Sequence, residues 1–225
     1  MEIKAIIFDL DQTLIYTLRR FYKVFNNTLK RFVKKEVSWD IFLKYYNKDD
    51  LNLLIESNVN PVEFWQYFRK IYSTFIDPED RLVEGATEIL EYLKNKGYKI
   101  FVTTGREANQ SDIWKELEYF GISKFVDNVF TLSQQDPRQE KILFSKEGLI
   151  SYILKKYNLK PQEVLFVADY WVDMVSGKKT NVITVGIITS HEDAEKLKKH
   201  GAVFVIRKLG EIKDIISKLE NSNKS

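Results

Sequence analysis

Residues 3–14 read IKAIIFDLDQTL. Ala5, Ile6, Ile7 and Phe8 make an unbroken apolar run, the pattern of a strand covered on both faces and not the alternation of one with a wet side. The chemistry then changes abruptly: Asp9 and Asp11 follow two positions apart, with Thr13 close behind. Two carboxylates at the end of a buried strand need a reason, because burying an anion is costly unless a positive partner meets it.

The same strand texture returns after Gly85, in YKIFVTT, NVFTL, EVLFVAD, NVITVGI and AVFVI, with helical segments between. One of these is SKEGLISYILKKYN, where Leu149, Ile150, Ile153, Leu154 and Tyr157 share a face and Ser145 is placed to cap the N-terminus. Buried strands alternating with helices predict an α/β fold with a mainly parallel sheet covered on both sides. Between Thr13 and Gly85 the composition differs. None of the 9 glycines falls there, while 15 of the 31 aromatic residues lie between Tyr16 and Phe75. Phe21, Val24, Phe25, Leu29 and Phe32 recur at helical spacing, as do Phe64, Tyr67, Phe68 and Ile71, and Pro61 suits a first helical turn. An all-helical insert is expected over residues 15–82, in place of an aromatic stretch of the main core. The sheet domain then comprises residues 1–14 and 83–220, with 221–225 as a flexible tail.

The 225 residues are 44% hydrophobic and 30% charged, enough for a substantial core and too apolar for wholesale disorder. The net charge of +3 comes from 35 basic against 32 acidic residues, a near balance that does not favour nucleic acid as a partner. Without cysteine, disulfides, thiolate nucleophiles and Cys-ligated zinc are excluded together. No signal-peptide pattern and no run of 18 apolar residues is present, so a cytoplasmic protein without a membrane partner is expected.

Ligands of parallel α/β sheets collect at the carboxyl ends of the strands. There the sequence places Asp9, Asp11 and Thr13 after the first strand, Thr103 and Thr104 after YKIFV, and Asp169 followed by Asp173 after EVLFVA. Acids gathered from several strand ends repel one another unless a cation joins them, and all-oxygen donors point to Mg²⁺ before zinc. A carboxylate beside such an ion can attack phosphorus, and a second, two residues along, can protonate the leaving oxygen and later deprotonate water. A turn capped by one aspartate would be the plain alternative, but it does not account for the whole set.

With these residues in view, the chain resembles the haloacid dehalogenase superfamily: DLDQTL is similar to its first motif, FVTTG to its second and VADYWVDM to its fourth, in the same order. The resemblance implies a Rossmann-like core with the helical insert as a C1-type cap. It implies Asp9 as nucleophile, Asp11 as acid and base, and Thr103 as phosphate ligand. It implies Mg²⁺ held by Asp9, the Asp11 backbone carbonyl and Asp169, with Asp173 alongside. The third motif is a lysine, and two residues compete for it. Lys146 sits where a helix begins, a position opposed by the helix dipole by about 0.3–1 kcal/mol, which calls for another interaction to hold it there; Lys141 is the other choice. Gln12 stands where glycine is frequent, Ala168 replaces a glycine before Asp169, Glu84 replaces a proline, and Tyr170 and Trp171 replace small residues.

The activity so implied is a Mg²⁺-dependent phosphatase acting on a small phosphorylated metabolite. A phosphomutase uses the same two aspartates and stays open. The true dehalogenases lack the second aspartate, so Asp11 speaks against halide release, and a non-catalytic phosphate-binding module is the remaining alternative. Arg19, Arg20, Arg106 and Asn109 are positioned to select substrate or to play ordinary surface roles; His191 and His200 read as surface residues.

Overall fold

The computed structural model describes residues 2–140, 142–189 and 194–221. The chain divides into two compact units, residues 1–15 together with 82–225, and residues 16–81.

The first unit is built on strands β1 (Ala5–Asp9), β4 (Lys99–Thr104), β5 (Asn128–Thr131), β6 (Val164–Ala168), β7 (Ile183–Ile187) and β8 (Phe204–Ile206). They form a six-stranded sheet in the order β5-β4-β1-β6-β7-β8, every neighbouring pair parallel. The expected α/β sheet is therefore present, and all five later strands fall on the segments that carried the strand pattern. Helices α4 (Ala86–Asn95), α5 (Gln110–Tyr119), α6 (Glu147–Lys156), α7 (Trp171–Lys179), α8 (Ala194–His200) and α9 (Ile212–Asn221) complete it. Side chains alternate across a strand. Ala5 and Ile7 join Phe101, Phe130, Leu149, Ile150, Ile153 and Phe166 in one buried cluster, while Ile6 and Phe8, equally buried, point to the opposite face. That explains the unbroken apolar run: both faces are covered.

The chain leaves β1 for β4 and β5 on one side and then returns to β6, β7 and β8 on the other. The direction of winding thus reverses beside β1, which makes the carboxyl ends of β1 and β6 the topological switch point, where connecting loops part and leave a crevice. Asp9 is the last residue of β1, and Asp169 follows the last residue of β6.

The second unit holds α1 (Leu18–Val33), α2 (Trp39–Tyr46) and α3 (Pro61–Tyr72). Pro61 takes the first helical position of α3, and the Asn60 side chain caps it by accepting from the Val62 amide at 2.9 Å. Val24, Phe25, Leu29, Phe42, Phe64 and Phe68 form its core. Rings meet closely there, Phe21 with Phe68 at 4.6 Å and Phe68 stacked on Tyr72 at 5.3 Å. The short strands β2 (Ile15–Tyr16) and β3 (Arg81–Leu82), which pair with each other, were not foreseen. Among the described residues no helix is long and apolar enough to cross a membrane.

Inside the second unit Arg20 is wholly buried, its Nε 2.8 Å and its Nη2 2.6 Å from Asp80 Oδ2, an oxygen that also accepts from the Asp77 amide. Removing one member of such a pair strands the other charge, whereas replacing both by apolar groups of similar volume is tolerated. Asp80→Leu is expected to lower stability by about 3–5 kcal/mol in urea unfolding, and Arg20→Met with Asp80→Leu to recover most of it. A double variant as unstable as the single one would show that the pair is not coupled.

Candidate active site

The strand register assembles the site. Asp9 is the direct parallel partner of Thr103, and Phe8 that of Val167, so Asp9, Thr103 and the Ala168–Asp169 step stand at one rim of the sheet. Asp9, Asp169, Asp173 and Lys146 are all buried there. Lys146 Nζ donates to Asp9 Oδ1 at 2.5 Å and to Asp173 Oδ2 at 2.9 Å, joining the end of β1 to the first turn of α7. Of the two lysines that compete for the third motif, Lys146 stands beside Asp9, and Lys141 lies outside the described residues. The same Nζ stands 2.9 Å from Asp173 Oδ1, but without hydrogen-bond alignment, so that buried oxygen has a charge contact and no aligned donor. The other oxygen of Asp9 has Thr13 Oγ1 at 3.5 Å.

Lys146 reaches this point because its backbone is held. Its amide donates to Ser176 Oγ at 3.0 Å, and Gln135 bridges from the Ser145 carbonyl to the Leu149 amide at 2.9 and 3.0 Å. Gly148 permits that bridge: a Cβ there would come within 2.8 Å of Gln135 and 2.3 Å of Gln139. One expectation is corrected here. Lys146 itself, not Ser145, is the N-cap residue of α6, without a side-chain cap bond, and the buried Ser145 hydroxyl accepts no amide. The two carboxylates supply the interaction that offsets the unfavourable dipole.

Burial pushes the Asp9 carboxyl up to about 7; Lys146 pulls it back, while the charges of Asp173 and Asp11 add to the rise. Burial raises Asp173 as well, against the pull of Lys146. Burial alone would lower the Lys146 ammonium, but Asp173 and Asp9 outweigh it and hold it above its ordinary value. One ammonium serves more than one buried acid, an arrangement with room for a further cation. Among the described residues no three His, Cys, Asp or Glu side chains group as a metal site. The donors expected for Mg²⁺ are of another kind, two carboxylates and a backbone carbonyl, and the Asp173 oxygen that lacks an aligned donor and the raised Asp9 both suit an added hard cation.

Asp11 is turned toward the end of β4. Arg106 donates from Nε to its Oδ2 at 2.9 Å and from Nη2 to its Oδ1 at 2.5 Å, and Thr104 Oγ1 lies 3.3 Å from Oδ2. Glu116 of α5 backs the guanidinium, with Oε2 2.5 Å from Nη1. Thr103 Oγ1 donates to the Phe8 carbonyl at 3.3 Å. Glu116 escaped the sequence reading, although it shares the buried face of α5 with Ile113 and Leu117, where a charged residue asks for a partner. Gln12 has φ 59°, a left-handed conformation that explains why glycine would be at home there.

The other residues singled out are placed as follows. Arg19 lies over the Trp39 ring at 3.8 Å, Arg20 is the buried partner of Asp80, and Asn109 Nδ2 donates to Asp112 at 3.3 Å at the start of α5. Trp171 and His200 rings meet at 4.7 Å, so Trp171 packs α7 on α8 and His200 is not a free surface residue. His191 lies outside the described residues.

The raised Asp9 has a consequence for stability. With a folded pKa near 7 against an ordinary value of 3.8, the folded protein binds more protons than the unfolded chain between those values, so stability falls as pH rises across them. The limit is about 1.4 kcal/mol per pH unit. Lys146, raised above 10.5, contributes evenly over this range. In chelator, the melting temperature of Asp9→Asn relative to the parent should climb from pH 4.5 to 7.5. A constant difference would mean that burial does not perturb Asp9.

A family model described as haloacid dehalogenase-like hydrolase matches residues 6–187. A Clostridium perfringens protein bearing the name of pyrophosphatase PpaX is 29% identical over 97% of this chain and 100% of its own. The pyrophosphatase PpaX of Bacillus pumilus is 25% identical over 95% and 96%. Among solved structures, a haloacid dehalogenase-like hydrolase from Streptococcus pneumoniae aligns with a TM-score of 0.77 at 20% identity, covering 95% of this chain and 98% of its own. One from Clostridium acetobutylicum, described as a predicted phosphatase, also gives 0.77, at 19% identity over 97% and 100%. At these identities the two structures establish a common fold. The chain therefore belongs to the haloacid dehalogenase-like hydrolase family, as a hydrolase of the phosphatase type.

Proposed function

We propose that the protein is a Mg²⁺-dependent phosphatase that acts on a small phosphorylated metabolite through an aspartyl-phosphate on Asp9. The observation that carries this reading is the buried Lys146 ammonium bridging Asp9 and Asp173 at the switch point. Lys146 takes one oxygen of Asp9, which leaves Oδ2 to attack phosphorus. In that step the Asp9–phosphorus bond forms as the ester bond breaks, and the leaving oxygen takes a proton from Asp11. Water then attacks the phosphorus, Asp11 accepts its proton, and the Asp9–phosphorus bond breaks to release phosphate. Thr103 would serve as a phosphate ligand once its hydroxyl turns from the Phe8 carbonyl. Asp9, Asp169 and the Asp11 backbone carbonyl would hold Mg²⁺, with Asp173 alongside. When bound, the ion supplies positive charge that polarises the phosphoryl group and shields the acids from each other.

Residues 16–81 would act as the cap that excludes water and selects substrate. The names of the relatives make pyrophosphate a compound to include beside phosphomonoesters in a substrate screen.

Two measurements test the assignment. Mg²⁺ should raise the melting temperature of the parent protein by ligand linkage and leave Asp169→Asn unmoved; an equal shift in both would remove Asp169 from the metal site. Acid-quenched protein from a reaction in progress should carry phosphate on Asp9 by peptide mass spectrometry, and Asp9→Asn should lose turnover while keeping its fold. Phosphate on another residue would overturn the mechanism.

A further inference from the structure

We propose that Arg106 is the positioning residue of Asp11: its guanidinium, braced by Glu116, fixes where the Asp11 carboxylate stands and so sets the help given to poor leaving groups. The proposal rests on the reading of Asp11 as acid and base.

The geometry is that of a fork. A carboxylate held by one donor can still turn about its last torsion, whereas two parallel N–H···O bonds from one planar group fix both its direction and its plane. Arg106 makes both bonds to Asp11, through Nε and Nη2. The fork itself cannot drift. Nη1 donates to Glu116 Oε2 at 2.5 Å and Nη2 reaches Oε1 at 3.3 Å, and the Arg106 and Glu116 side chains are each 2% exposed. The Arg106 backbone is also held, its amide by Thr104 Oγ1 at 3.2 Å and its carbonyl by the Leu132 amide at 3.0 Å. Asp11, with a side chain 20% exposed, is thus the outer end of a buried Glu116–Arg106–Asp11 chain.

Two other roles for Arg106 are weaker. As a phosphate ligand it would have to break its existing bonds, since at least four of its five N–H donors already meet carboxylates. Glu116 and Asp11 together also outweigh its single charge, so this corner offers an incoming anion no net attraction. As a source of stability, a buried Arg–Glu pair is poor, because the desolvation of both ions offsets their attraction. What such a pair supplies is a fixed geometry, and what lies at its exposed end is the Asp11 carboxylate.

The test compares phenyl phosphate with p-nitrophenyl phosphate, which are alike in shape but differ in how far the departing oxygen needs a proton. Single-turnover formation of the phosphoenzyme is measured on the full chain with Mg²⁺. Arg106→Gln should slow the phenyl ester by roughly tenfold or more beyond its effect on the nitrophenyl ester, within the range of a positioned acid. Arg106→Lys should recover part of that loss. In an Asp11→Asn background, Arg106→Gln should add little on either ester. Equal losses on both esters, or an undiminished further loss in the Asp11→Asn background, would overturn the positioning role while leaving Asp11 selective in its own right. Equal losses from Asp11→Asn alone would instead remove the reading of Asp11 and the proposal with it. Should Arg106→Gln fail to fold with Glu116 left unpaired, Arg106→Gln with Glu116→Gln carries the same comparison, as two amides replace two ions.

Discussion

A single ammonium group, Lys146 Nζ, lies between Asp9 and Asp173 in the interior of the sheet domain, and much of the local architecture follows from the need to put it there. Asp9 comes from the central strand and Asp173 from α7, so the lysine must arrive from a third direction, at the start of α6. That placement works against the helix dipole and takes a long polar side chain out of water. The surrounding bonds make sense as its supports: Ser176 under the Lys146 amide, Gln135 across the turn, and a glycine at 148 where a Cβ would collide with the bridge. Without the two carboxylates the lysine has no reason to be buried, and without the lysine the carboxylates repel each other.

The parallel sheet was legible because burial on both faces leaves a plain mark: apolar runs of strand length, separated by amphipathic helices. Asp9 and Asp169 were legible for the complementary reason, since a charge directly after such a run has to sit at a strand end. Register then did what sequence cannot, setting Asp9 beside Thr103 across ninety-odd residues of chain. Two helices of residues 16–81, α1 and α3, were readable from aromatic spacing, because a small unit must carry its own large apolar groups, whereas α2 was not read.

What stayed hidden were partnerships between distant charges. A sequence shows that Lys146 opposes the dipole but not which acids reward it. It shows Arg106 near the second motif, but surface and buried roles look alike until Glu116 and Asp11 are found on either side. Ser145 misled for a related reason: a serine ahead of an apolar period is a sound cap signal, yet the chain there is bent to deliver the next residue to Asp9, and the helix starts one residue later than the capping rule suggests. The tight β2–β3 pair is too short for any periodicity to register.

The two aspartates of the opening motif are held by different cations, and under the proposed roles the difference is chemically apt. An ammonium is a compact point charge with three donors that can be shared and redirected. Beside Asp9 this matters, because the negative charge of the nucleophile passes to the phosphoryl oxygens as the new bond forms, and the counter-charge has to remain favourable on both sides of that step. A guanidinium fork is rigid and planar, suited to a carboxylate that must keep one orientation while its proton comes and goes. Exchanging the two cations would weaken each site for its own reason: a lysine at 106 would hold Asp11 by a point charge and fix its plane only in part, and an arginine at 146 would present its fork to two carboxylates that the structure sets on separate elements, one on β1 and one on α7. Under those roles a buried strand can end in two acids because each meets a cation suited to its task, an ammonium shared with Asp173 for Asp9 and a guanidinium fork for Asp11.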